Sequence, residues 1–186
     1  MMENQPKIQP YSEKLNKKLI DCPFTNNLDQ DNYFTYLRNV KKNIELFREV
    51  NIPLQAELNV LQQQFGVISG KMTVEVGGQE YTLQQAAKFL EDPDRKLREE
   101  VYRKINERRL LNKQELNDLF SSLLQKRHRV AINTGFENYR DYRFAELGRF
   151  DYSKKDCYQF HEAVKLHVMP LVNQLYETKK KILGLY

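Results

Sequence analysis

The residues closest to a catalytic arrangement are His161-Glu162-Ala163-Val164-Lys165-Leu166-His167. Two histidines at i and i+4 of one helix, with a glutamate directly after the first, can hold zinc and a water-activating base. Here the second histidine stands at i+6, roughly 120° around the helix and ~9 Å along it. One ion cannot accept both imidazoles at the ~2.0–2.1 Å of a zinc–nitrogen bond. The spacing assigns no metal ligand, so His161 reads as a surface or interface histidine. His167, close to Pro170, reads as a partner for the backbone carbonyl that the proline leaves unpaired.

Cys157 lies one turn before His161, the spacing of a thiol and a base. It also falls on an apolar stripe, where a small buried hydrophobe is the ordinary occupant, and no third group orients the histidine. Cys22, far away in sequence, suggests no disulfide framework, so both thiols are read as reduced. Gly77-Gly78 has neither the lysine nor the following Ser/Thr of a phosphate-cradling loop, and a tight turn accounts for it. The residues thus assign no catalytic group and no metal ligand, and leave the substrate-binding residues unknown.

The elements around these positions are mostly helical. Leu37, Val40, Ile44 and Phe47 recur at helical spacing, as do Leu54, Leu58, Leu61 and Phe65, with Asn51-Ile52-Pro53 as the break and Gly66 as the expected stop. Residues 70–82 change to period two: Met72, Val74 and Val76 face one way, and Gly77-Gly78 supplies the turn of a hairpin. Thr82 with Gln85 predicts a capping box for a short helix ending at Glu91. Asp92 then reads as a cap with Pro93 in the first helical position. Leu97, Val101 and Ile105 mark the buried side of that helix.

Asn112 with Glu115 reads as the next cap. Leu116, Leu119, Phe120, Leu123, Leu124 and Val130 are expected on one face, with Gly135 ending the helix. Ser153 is read as the cap of the last helix, with Asp156 in its first turn. Cys157, Phe160, Val164, Val168, Leu171 and Leu175 are expected along one side, with a bend at Pro170. The fold class is mainly α: a bundle of six or seven helices with one β-hairpin at about residues 70–82. Residues 1–186 read as a single helical unit, with residues 1–30, which hold Pro6, Pro10 and Pro23, loosely organised.

The chain has 186 residues and a net charge of +5. Basic residues cluster at Arg108-Arg109, at 126–129 and at Lys179-Lys180-Lys181. Elsewhere acids interleave them, and no aromatic residues sit between them as a base-stacking surface requires, so a solvated face is favoured over a nucleic-acid partner. Tyr139, Tyr142, Phe144, Phe150, Tyr152 and Tyr158 form an aromatic patch suited to core packing, an interface or a peptide-binding wall. No stretch approaches the ~20 apolar residues of a membrane helix. The start has no apolar core with a cleavage site, so a cytoplasmic protein with no membrane partner is expected.

Several words resemble the oligoendopeptidase F family of thimet-oligopeptidase-like zinc metallopeptidases. They are Gly70-Lys71-Met72-Thr73-Val74, Leu83-Gln84-Gln85-Ala86-Ala87, Arg127-His128-Arg129-Val130-Ala131-Ile132-Asn133, and above all Gly135-Phe136-Glu137-Asn138-Tyr139-Arg140-Asp141-Tyr142 leading into Gly148-Arg149-Phe150-Asp151-Tyr152. The resemblance extends over residues 7–186, more loosely before Asn51.

It implies a helical peptidase that encloses short peptides and cleaves them with one zinc, held by a His-Glu-x-x-His helix and a later glutamate. None of those residues matches a position here. The resemblance therefore implies a fragment upstream of the zinc helix, inactive alone, that binds no zinc itself and serves as channel wall and scaffold. Its partner would be the remaining catalytic part, with short peptides as substrates of the complete enzyme. Two rival readings are a freestanding interaction module that binds a protein through the region 139–158, and a basic nucleic-acid-binding helical domain.

Overall fold

Apolar residues at helical spacing and well-placed caps make the chain mainly helical, with one two-stranded antiparallel hairpin. The structure is a computed structural model and describes residues 4–184. It divides into two compact units, Met1–Arg143 and Phe144–Tyr186.

The first unit opens with α1 (Gln5–Asp21), a 3-10 turn (Pro23–Asn27), α2 (Gln30–Leu46) and α3 (Asn51–Gly70). The region expected to be loosely organised is therefore helical over much of its length, while residues 1–3 of it lie outside the described residues. Pro6 sits in the first turn of α1, where its missing N–H would have had no partner. Glu13 is turned inward, with Lys17 Nζ 3.5 Å away. α1 packs on α2 and α3, and α2 contributes Leu37, Val40 and Leu46 to the buried set.

Gly66 does not stop α3, which runs on to Gly70, and Phe65 is exposed. A C-terminal glycine ends a helix by adopting positive φ, and neither Gly66 nor Gly70 does so. Within the helix Gly66 costs about 1 kcal/mol relative to alanine, which the packing of α3 on α6 tolerates.

β1 (Thr73–Val76) pairs with β2 (Gln79–Thr82) in the register Val76↔Gln79 and Thr73↔Thr82. Gly77 and Gly78 have φ of 61° and 78°, as a primed two-residue turn requires. The capping box is present: Gln85 N donates to Thr82 Oγ1 at 3.2 Å, and Thr82 N donates to Gln85 Oε1 at 3.0 Å. It starts α4 (Leu83–Ala86), which passes into a 3-10 turn (Ala87–Glu91).

Two strands alone are marginal in water. These lean on α5 (Arg95–Leu111), so that Val74, Val76, Ala86, Val101 and Ile105 form one buried cluster with Tyr81 and Phe89 against it. Lys104 Nζ donates to Glu75 O at 2.9 Å and occupies an outward carbonyl of β1.

Two expected caps differ. Asp92 Oδ1 accepts from Asp94 N at 2.8 Å inside a turn, so Asp94 caps α5 by accepting from Lys96 N at 2.8 Å. At α6 (Lys113–Asn133), Asn112 makes no side-chain cap: its Oδ1 accepts from Arg108, and its Nδ2 donates to Glu115 at 2.7 Å. On α6, Leu119, Leu123 and Val130 are buried as expected. Phe120 and Leu124 are exposed because, one position on, they point about 100° away. Gly135, φ 92°, follows the helix end, and α7 (Tyr139–Glu146) comes after it.

The second unit holds α8 (Lys154–Ala163), a π-helical turn (Val164–Val168) and α9 (Met169–Ile182). Ser153 caps α8 as expected, in a reciprocal box with Asp156. Pro170 lies in the first turn of α9, and the expected irregularity there is the π-turn. Met169 N donates to Val164 O in the i→i+5 pattern just before the residue that has no N–H to give.

Candidate functional site

His161 lies on α8, exposed, with its ring 6.4 Å from those of Tyr158 and Phe160. His167 lies in the π-turn, also exposed, and bonds to no carbonyl among the described residues. The bond expected of it is absent because the π-turn redirects the local backbone pairing. Cys157 and Cys22 are half-buried free thiols, and no hydrogen bond joins Cys157 to His161. Among the described residues no group of three or more His, Cys, Asp or Glu could hold a metal ion. The donor set near His161 does not fit zinc.

The basic clusters lie on separate elements and are partly engaged. Arg108 bonds to Asn112, Lys126 to Glu57, and Lys180 to Glu177, while Arg127 lies 5.8 Å from the Tyr139 ring centre. On α5, Glu99 pairs with Arg103 at 2.7 Å; that hydrogen bond and charge hold the Glu99 carboxyl below its usual range. Such pairs characterise a solvated helix face.

The aromatic patch resolves into ring pairs. Phe136 meets Tyr142 edge-on at 5.8 Å and Tyr139 lies 5.9 Å from Tyr142, all in the first unit. Phe144 meets Tyr152 edge-on at 5.7 Å with the Arg149 guanidinium 5.4 Å away, all in the second. Tyr142 is buried, and its partners hold the start of α7. Much of this patch is therefore packing.

Much apolar surface stays open, as expected of a segment whose patches a complete enzyme would bury. No residue of α8, the π-turn or α9 is buried. Phe160 is 67% exposed, Leu171 59% and Leu175 69%. The chain presents 14475 Å² to solvent, whereas two separate compact bodies of this total mass would present on the order of 11,000 Å². Exposed apolar side chains in such number along one helical run mark a surface suited to packing against another body. In the first unit, a cleft of about 570 Å³ opens between α3 and α6, lined by Leu61, Val67, Lys71, Arg108, Asp118 and Leu119 among others. Its cations, acids and aliphatic groups point to no single ligand class. No helix among the described residues is long and apolar enough to cross a membrane.

Residues 88–185 match the model of peptidase family M3. No curated protein matches the chain. Among solved structures it is similar to one named as an oligoendopeptidase F from Bacillus anthracis str. Ames, with a TM-score of 0.93 at 20% identity over 100% of this chain and 34% of that one. A second structure named as an oligoendopeptidase F gives 0.92 at 23% identity, over 100% of this chain and 33% of that one. PZ peptidase A with an inhibitor gives 0.90 at 20%, over 97% and 32%. At these identities the likeness is one of fold, and the chain spans about a third of the length of the solved structures it matches.

Proposed function

Since the chain belongs to peptidase family M3, we propose that it is a scaffold and channel-wall segment of a zinc endopeptidase that hydrolyses short peptides. The observation that carries this reading is the match of the whole chain to a third of an oligoendopeptidase F fold. The open apolar faces of α8 and α9 support it, because a wall segment leaves such faces for the body it joins. In this reading the zinc, which polarises the scissile carbonyl when bound, is held by residues outside 1–186. This chain contributes position and enclosure, and the remaining catalytic part is its partner. The two free thiols support a cytoplasmic setting.

The test is to produce the polypeptide encoded by the complete reading frame that contains these codons, and to assay a quenched fluorescent peptide of about eight residues. Hydrolysis abolished by a chelator and restored by zinc is the expected result. A frame without His-Glu-x-x-His, or a polypeptide that leaves the peptide intact with zinc present, overturns the reading.

A further inference from the structure

The π-turn changes which residues of the last helix share a face. Cys157 and Val164 are seven positions apart, within about 20° of each other on an α-helix. An uninterrupted helix would next bring Leu171 into line and set Val172 about 80° away from Val164. The i→i+5 turn at Val164–Val168 absorbs one residue and removes most of that offset, so Val172 replaces Leu171 in the stripe. The backbone pairing alone sets this register: Cys157, Val164 and Val172 are half-buried, but Phe160 and Leu175 on the stripe are 67% and 69% exposed and Leu171 beside it 59%. The stripe then reads Cys157, Phe160, Val164, Val168, Val172 and Leu175, and continues to Lys179.

The stripe runs through helical segments of 10, 5 and 14 residues, and no residue of these segments is buried among the described residues. Helical stability in proteins comes mostly from tertiary packing of an apolar face, so a helix with such a face calls for a covering body. The three similar structures indicate which body: each embeds this fold in a chain about three times as long. Lys180 is paired with Glu177, whereas Lys179 and Lys181 have no acidic partner among the described residues.

We infer that the stripe from Phe160 to Leu175, in the register set by the π-turn, is the docking face for the remainder of the M3 fold. That body presents an apolar surface to the stripe and carboxylates near Lys179 and Lys181. The inference rests on the proposed function and adds the face and its register.

The test splits the encoded polypeptide after Tyr186 and measures association of the two pieces by calorimetry, with helicity checked by circular dichroism. Val172→Glu is expected to weaken association at least tenfold, and Leu171→Glu, one position away, by less than threefold. Both positions are solvent-accessible, so neither change forces a charge into a packed core. The reverse order, or equal effects, overturns the register. Pieces that fail to associate overturn the docking face, while zinc-dependent hydrolysis by the unsplit polypeptide still upholds the proposed function. A frame that ends at Tyr186 overturns both.

Discussion

Asn51 Nδ2 donates to Thr134 Oγ1 at 3.1 Å, joining the start of α3 to the residue that follows α6 across 83 positions of sequence. Both residues are buried, at 2% and 6% exposure. The same amide donates to Val130 O at 3.1 Å and accepts from Asn133 Nδ2 at 2.7 Å, and Thr134 Oγ1 donates to Val130 O at 2.8 Å. A buried polar group is tolerated when its hydrogen bonds are satisfied, and here one side chain fixes the angle at which two long helices meet.

Asn51→Leu removes the hub and leaves Asn133 and Thr134 without their partner. The expected cost is about 2–3 kcal/mol, read as a lower urea midpoint with an unchanged slope. No loss of stability would show that the network does not hold α3 to α6.

Val101 is fully buried under the hairpin, against Val74, Val76 and Ala86. Val101→Ala removes two carbon groups from that cluster and is expected to cost about 2 kcal/mol. Amide exchange in β1 and β2 should accelerate before that of α3 and α6, because the hairpin depends on α5 for its stability. Uniform acceleration through the first unit would contradict a separate hairpin core.

Much of this was legible in the sequence because caps and periodicity are local. Thr82 with Gln85, Ser153 with Asp156, the glycine turn and the Met72, Val74, Val76 face all appear in the structure as their spacing predicts. What escaped was competition between neighbours. Asp92 was taken up by the Asp94 amide, Asn112 by Arg108, and Gly66 stayed in helical φ because α3 had packing to continue. The π-turn escaped for the same reason: period alone places Leu171 on the stripe, and only the backbone pairing of Met169 with Val164 shows the extra residue. The Asn51 hub joins residues distant in sequence, which no local spacing reveals.

The Asp156 carboxyl accepts from the Ser153 hydroxyl and from Ser153 N at 2.7 Å, which holds its pKa below the usual aspartate value, the hydroxyl bond first. A carboxyl with a depressed folded pKa contributes stability above its unfolded pKa, and that contribution disappears as pH falls through the folded value. The helix signal from α8 should therefore persist to more acidic pH than an uncapped aspartate would allow, then fall. Ser153→Ala should move the Asp156 titration upward in carboxyl-carbon NMR, and an unmoved titration would refute the cap.

As proposed, this chain contributes fold and enclosure to a larger enzyme and no catalytic chemistry of its own. The most direct measurement is to incubate the 186-residue chain with equimolar zinc and a quenched fluorescent peptide, and to follow cleavage with and without a chelator. The expected rate equals that of buffer with zinc. Chelator-sensitive turnover by the chain alone would contradict it, and would place a zinc site among residues that have been assigned only packing roles.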